Sequence, residues 1–204
     1  MPRALGQIDA RKAEAVLDAA VQVFSERGLS APLEAVAAAA GVSKQTIYNQ
    51  YGCKADLIGA LVERRSDQLT SVLTETGLRG RPREALEAFA RALLGVYTPG
   101  DRSAAWLMRL VVQHAVERPE LAQRVYEAGP RASRRRLSAF LEAESEAGRL
   151  AIDDPAEAAD LFLGMVLGVV QLAALLGAPA ELDAARALRR AQTCADRFLK
   201  AYAR

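Results

Sequence analysis

Apolar residues recur at helical spacing from near the start of the chain. They form one stripe on a helix that we predict over about residues 9–27, and Gly28 stands where a helix-ending glycine belongs. The residues of this stripe are Ala13, Val16, Leu17, Ala20 and Phe24. A stripe of this kind predicts a helix that packs one face against a core.

The same period continues through most of the chain. We predict further helices over about residues 32–40, from 44, from 55 to about 72, over 83–97 and 103–116, from 119, over 133–146 and over 182–202. No stretch alternates apolar and polar residues with the period of two that is typical of a strand. The predicted fold class is therefore all-α.

One segment, residues 161–178 (LFLGMVLGVVQLAALLGA), is apolar on every side. It reaches the roughly 18 residues that a membrane-spanning helix needs. However, it contains Gln171, follows an acidic turn and lacks flanking aromatic and basic residues. We therefore predict that it is buried in protein and that the chain has no membrane partner. Residues 1–7 lack the apolar core of a signal peptide, which favours a cytoplasmic location.

Charge does not by itself indicate a nucleic-acid partner. The net charge of the chain is +2, and residues 1–58 hold six Lys or Arg against six Asp or Glu. A DNA-binding hypothesis must therefore rest on the placement of particular side chains. We interpret the basic run at residues 131–136 (RASRRR) as a solvated helix face, the alternative being a second nucleic-acid patch.

The chemistry-bearing residues give no sign of catalysis. His114 is the sole histidine, and no serine-histidine-aspartate arrangement or phosphate-binding glycine loop is present. Cys53 and Cys194 have no metal-ligand spacing and are interpreted as reduced thiols, although Cys53 could instead act as a redox sensor. We expect no enzyme activity, no metal and no cofactor.

Residues 41–54 (GVSKQTIYNQYGCK) have the pattern of a helix-turn-helix. Gly41 permits the turn, Val42 and Ile47 anchor the unit to the core, and Ser43 caps the third helix. In this motif the second helix enters the major groove, and its N-terminal residues meet base edges. The segment therefore predicts binding to double-stranded DNA.

Each exposed side chain of this segment has a predicted role. Base contacts are expected from Lys44, Gln45 and Asn49, whose donors and acceptors match guanine and adenine edges. Phosphate contacts are expected from Thr46, Tyr48 and Lys54, and the helix N-terminus at Ser43 also favours phosphate. Tyr51 is also a candidate DNA-binding residue, although it is expected to pack beneath the motif with its hydroxyl at the surface.

Two stretches, VLDAAVQVFSERG and VAAAAGVSKQTIYNQYGCKADLIGAL, closely resemble the N-terminal domain of the tetracycline-repressor (TetR) family of transcriptional regulators. The resemblance covers about residues 10–62, and the family often has glycine where Gln45 stands. A weaker similarity to AcrR-type members covers MRLVVQHAVERPELAQRVYEAGP and GRL…DDPAEAADLFLGMVLG. The resemblance implies a homodimeric repressor that binds a palindromic operator and is released by a small hydrophobic effector of unknown identity.

The same resemblance implies a division into domains. We expect a DNA-binding domain at residues 1–54 and a helical effector-binding and dimerisation domain at residues 55–204, while residues 77–84 (GLRGRPRE) are the best boundary by composition alone. The candidate effector-pocket residues are Tyr97, Trp106, Arg109, Leu110, His114, Phe140, Phe162 and Met165. The candidate dimer-interface residues are Leu161, Leu172, Leu176, Leu188, Ala191 and Phe198.

Two alternatives stay open. His114 could orient an effector or could be a hydrogen-bonded structural residue. The whole chain could also be an all-α small-molecule-binding protein whose motif no longer recognises a DNA sequence.

Overall fold

The regular elements of the protein are helices, as predicted. The structure is a computed structural model that describes residues 5–98, 102–178 and 182–202. Its α-helices are α1 (Leu5–Arg27), α2 (Leu33–Ala40), α3 (Lys44–Tyr51), α4 (Lys54–Thr70), α5 (Pro82–Gly95), α6 (Arg102–Gln113), α7 (Pro119–Tyr126), α8 (Ala132–Glu146), α9 (Pro155–Leu175) and α10 (Ala184–Tyr202). Two short 3₁₀ turns follow α4, and a π-helical segment, Glu127–Arg131, joins α7 to α8.

The ends of the first helices have local causes. Helix α1 includes residues 5–8, ahead of the predicted start at residue 9. Gly28 (φ 75°) follows its last residue. Gly41 (φ 66°) ends α2 in the left-handed conformation that glycine adopts without steric cost, and this turn directs the chain into α3.

The chain divides into two compact units. The first comprises residues 1–64 and 110–128, and the second comprises residues 65–109 and 129–204, so that α4 and α6 are each shared between the units. The predicted domain boundary between residues 54 and 55 lies inside the first unit. Residues 77–84 lie inside the second. The compact units and the predicted domains are therefore different divisions of the chain.

The first unit has a core drawn from helices α1 to α4. Its buried apolar side chains include Val16, Ala20, Phe24, Leu33, Val36, Ile47, Leu57 and Ile58. Arg64 on α4 donates hydrogen bonds to Glu14 and Asp18 on α1, each at 2.8 Å. Arg124 on α7 donates from Nε to the carboxylate of Asp56 at 2.7 Å. These ion pairs join α4 to α1 on one side and to α7 on the other.

The second unit is built around a row of phenylalanine rings. Phe162 on α9 stacks on Phe89 with ring centroids 6.5 Å apart and meets Phe198 on α10 edge-on at 5.1 Å. Phe198 is only 2% exposed and Ala191 is 0% exposed. The prediction that Ala191 and Phe198 belong to a dimer interface is therefore wrong, because both side chains fill the core of their own chain.

Helix α9 is interrupted at Gly168, whose backbone is not helical (φ 35°, ψ −127°). The interruption leaves carbonyl groups without helical partners, and Arg190 on α10 donates to two of them, Val166 O at 2.8 Å and Met165 O at 2.9 Å. Arg190 thus closes the first half of α9 as a side-chain cap.

The burial that we predicted for the apolar segment is not found in the single chain. Leu161, Val169, Leu172 and Leu176 are 51%, 75%, 55% and 76% exposed. By length and composition α9 is the helix in the described ranges that could cross a membrane, and 22% of its apolar window is buried inside the chain. An apolar face on α9 therefore lies open in one copy of the protein.

The basic run at residues 131–136 is not simply a solvated face. Arg136 pairs with Asp67 on α4 and donates to the buried hydroxyl of Ser66 at 3.0 Å. Arg134 pairs with Asp160 on α9. These two arginines hold α8 against its neighbours in the second unit.

Candidate nucleic-acid interface

Helix α3 has the cap that was predicted for a recognition helix. The hydroxyl oxygen of Ser43 accepts the backbone N–H of Thr46 at 3.0 Å and lies 2.9 Å from the Thr46 hydroxyl. The N–H of Val42 reaches back to Ala37 O at 3.0 Å, which closes the turn from α2. Ile47 is fully buried and fixes the inner face of α3. The helix therefore has a defined start and a defined outer face.

Four long side chains lie exposed on that outer face: Lys44, Gln45, Tyr48 and Asn49. Gln45 donates from Nε2 to Asn49 Oδ1 at 2.7 Å, one helical turn away. This bond leaves the Gln45 carbonyl oxygen and the Asn49 amide hydrogens free to meet other groups. The two candidate base-contacting residues thus form one hydrogen-bonded pair.

Lys44 has a partner that the sequence analysis missed. Its ammonium pairs with the carboxylate of Glu34 on α2, and it lies 5.4 Å from the centre of the Tyr48 ring. The Glu34 carboxylate raises the pKa of Lys44, and the hydrogen bond from Lys44 lowers the pKa of Glu34. In the sequence, the equal numbers of cationic and acidic residues in residues 1–58 were the one indication that a cation there has a carboxylate partner. A DNA phosphate has to compete with Glu34 for this cation.

Lys54 is engaged inside the protein. Its ammonium donates to Leu29 O at 2.9 Å and to Ala31 O at 2.6 Å, and it lies 5.9 Å from the centre of the Phe24 ring. Burial, with a smaller contribution from the positive Arg118, lowers the pKa of Lys54. The predicted phosphate contact therefore needs correction, because this cation already ties the start of α4 to the connection between α1 and α2.

Tyr51 packs beneath the motif, as expected, but its hydroxyl is hydrogen-bonded to α1 and not open at the surface. Its hydroxyl donates to Ala13 O on α1 at 3.4 Å, and burial raises the pKa of the phenol. The Cys53 thiol donates to Asp56 in the first turn of α4 at 3.0 Å. That bond, followed by the pairing with Arg124, lowers the pKa of Asp56. Tyr51 thus ties the end of α3 to α1, and Cys53 and Asp56 are bonded to each other at the start of α4.

The candidate effector residues fall into different environments. Phe162 is fully buried between Phe89 and Phe198, so it is a core residue and not part of a cavity wall. The other predicted residues of the second unit are half-buried, and they are Tyr97, Trp106, Arg109, Phe140 and Met165. Burial raises the pKa of the Tyr97 phenol.

The last two effector candidates, Leu110 and His114, belong to the first unit. His114 Nδ1 lies 2.9 Å from the carbonyl oxygen of Leu110, one turn earlier in the chain. This contact is what a hydrogen-bonded structural histidine makes.

Comparison with known proteins agrees with this architecture. The sequence model of bacterial regulatory proteins of the tetR family matches residues 16–61, and the model of the AefR-like transcriptional repressor C-terminal domain matches residues 84–204. The flavonoid-responsive regulator FrrA is 35% identical, with 95% of this chain and 98% of that chain covered and a TM-score of 0.70. A TetR-family regulator from Mesorhizobium loti is 26% identical, with 96% and 98% covered and a TM-score of 0.78.

One curated relative matches over a shorter stretch. The transcriptional activator FasR of Mycolicibacterium smegmatis is 39% identical over 80 residues, which cover 36% of this chain and 36% of that protein. The match of the C-terminal model to more than half of the chain, together with the helix-turn-helix at α2 and α3, decides the family. The chain belongs to the TetR family of DNA-binding transcriptional regulators.

Proposed function

We propose that the protein binds a palindromic operator as a homodimer in the cytoplasm, represses transcription there and is released by a small hydrophobic effector. The observation that carries the proposal is the capped helix α3, which presents Lys44, Gln45, Tyr48 and Asn49 on one exposed face. A repressor role is favoured by the match to the C-terminal domain of AefR-like repressors. FasR is called an activator, so whether this protein represses or activates transcription has to be measured.

We divide the DNA contacts into two classes. Gln45 and Asn49 contact base edges, while Ser43, Lys44, Thr46 and Tyr48 contact phosphates, with Lys44 also within reach of bases. Tyr51 and Lys54 keep the motif in position through their bonds to Ala13, Leu29 and Ala31. This division differs from the sequence-based one in two residues: Lys54 moves from the phosphate contacts to the framework, and Lys44 moves from the base contacts to the phosphate contacts.

Binding measurements on operator and scrambled DNA separate the two classes. Gln45→Ala or Asn49→Ala should cost about 1–3 kcal/mol of discrimination between the two DNAs, because a lost base contact affects the specific sequence alone. Tyr48→Ala should weaken binding to both DNAs by the same factor. Equal losses in both classes would contradict the division of roles.

The homodimer is supported by the apolar face of α9. Leu161, Leu172 and Leu176 are more than half exposed, and Leu188 on α10 is also exposed. Isolated exposed leucines are ordinary, but several along one helix of the same chain favour an interface. A two-fold arrangement would pair this face with itself and would require two operator half-sites related by the same symmetry.

Release by an effector requires that the effector bind the DNA-free conformation better than the DNA-bound one. The similarity to FrrA, which is flavonoid-responsive, favours an aromatic, largely apolar effector. Retardation of an operator fragment with increasing naringenin, a flavonoid, tests this class of effector. Release at micromolar concentration supports the proposal, whereas unchanged binding with naringenin and with other flavonoids contradicts an effector of this class.

The rival function is a small-molecule-binding protein without sequence-specific DNA binding. Salt dependence separates the two functions. A regulator with several phosphate contacts loses affinity steeply as salt rises yet keeps a preference for its operator. Binding that disappears with salt and shows no sequence preference at any concentration would favour the rival.

A further inference from the structure

Arg109 on α6 has no partner within the described ranges. Its Nε atom is buried and makes no hydrogen bond, and the side chain as a whole is half-buried. Other arginines of the second unit are engaged: Arg136 by Asp67 and Ser66, and Arg190 by two carbonyl groups. Polar atoms that are buried in native proteins nearly always have a partner, so an unpaired guanidinium nitrogen requires an explanation.

The guanidinium lies beside the C-terminal turn of α9. A Cβ atom built on Gly177 (φ 72°) would lie 3.4 Å from Arg109 Nη1, so the backbone approaches the cation closely. The carbonyl groups Leu172 O, Ala173 O and Ala174 O of this turn accept the backbone N–H groups of Leu176, Ala178 and Gly177, and the buried Nε of Arg109 bonds to none of them. The Nε–H donor of Arg109 therefore stays available for a ligand.

We propose that Arg109 binds the carboxylate of an apolar organic acid. A guanidinium is a rigid planar fork that matches a carboxylate through two parallel hydrogen bonds. Its surroundings favour an apolar remainder, since Trp106 lies three residues earlier on the same face of α6 and is itself half-buried. The inference rests on the proposed effector-binding function and adds the chemical class of the ligand and its anchor.

Calorimetric titration with matched acids and amides tests the proposal without DNA. The probes are 2-naphthoate against 2-naphthamide and octanoate against octanamide. At least one acid should bind about tenfold or more tightly than its amide, since hydrogen bonds to charged groups are the stronger ones. Arg109→Gln should abolish the preference, and Arg109→Lys should keep part of it. Arg91→Gln, which changes an exposed arginine on α5, is the matched control and should behave as the wild type.

Thermal unfolding without any ligand gives a second readout. Arg109→Met should unfold at the same or a higher temperature than the wild type, because a buried donor without a partner on a half-buried cation is costly to keep. A clearly lower unfolding temperature would show a structural arginine and overturn the proposal. The proposal also fails if no acid is preferred over its amide, or if the preference survives in Arg109→Gln. Acid binding that leaves operator affinity unchanged would instead count against the proposed effector release alone.

Discussion

Replacing Lys54 by methionine should loosen the first unit even when no DNA is present. The ammonium of Lys54 donates to Leu29 O at 2.9 Å and to Ala31 O at 2.6 Å. Hydrogen bonds from a charged donor contribute about 1.5–3 kcal/mol each. Because Lys54 is half-buried, water can partly replace the ammonium at these carbonyls. We therefore expect a combined loss of about 1–3 kcal/mol.

Hydrogen exchange followed by mass spectrometry measures this loss locally. Peptides that span residues 24–40 should exchange about 5- to 150-fold faster in Lys54→Met, the factor that corresponds to the expected loss. Lys44→Met is the matched control, because the Lys44 ammonium pairs with an exposed carboxylate on the surface. Exchange in Lys54→Met that equals that of the wild type would refute the structural role and return Lys54 to the phosphate contacts.

Three further substitutions test other parts of the account. Gly168→Ala should destabilise the second unit by about 1–3 kcal/mol in urea unfolding, because the backbone at Gly168 (φ 35°) is strained for any residue with a Cβ. The added Cβ would also lie 3.2 Å from Arg190 Nη2. Gly164→Ala is the control and should not destabilise the unit, because open space surrounds Gly164. Leu172→Glu should shift the protein towards monomer in sedimentation, whereas Val116→Glu, also at an exposed position, should not. A dimer that persists in Leu172→Glu would contradict the α9 interface. Glu34→Gln should tighten binding to DNA of any sequence, because it frees the Lys44 ammonium for a phosphate. Fluorescence anisotropy at low salt measures the change. Glu63→Gln, which removes an exposed carboxylate on α4, is the control and should not tighten binding.

The parts of the fold that depend on nearby residues could be predicted from the sequence. The Ser43 cap acts on Thr46 three residues later, and Gly41 ends α2 by its own conformation. Helix α7 begins at Pro119, where proline was expected to open it. Each of these features depends on residues within about one helical turn of each other, so the residue types at those positions predict it directly.

The bonds that join distant segments could not be predicted in the same way. The partners of Lys54 are backbone carbonyls 23 and 25 residues away, and a carbonyl has no signature in the sequence. The interruption at Gly168 is closed by Arg190, on a different helix. Glycine inside an apolar run is compatible with a continuous helix, so the run alone did not indicate the break.

The apolar stripe of α10 shows a further limit. The helix predicted over residues 182–202 is present, but its apolar residues do not say which surface covers them. Ala191 and Phe198 pack into the core of their own chain, while Leu188 lies exposed. The distinction depends on how α10 turns relative to α5 and α9, which only the folded chain determines.

Selection of bound fragments from random double-stranded DNA, with the wild type and Tyr48→Ala run in parallel, tests operator recognition by α3. We expect the wild type to enrich a palindrome whose two half-sites are spaced by about one helical turn or a multiple of it. Tyr48→Ala should enrich the same sequence more weakly, because Tyr48 contributes affinity and no base preference. Failure of the wild type to enrich any sequence, with and without added organic acids or flavonoids, would contradict operator recognition by α3.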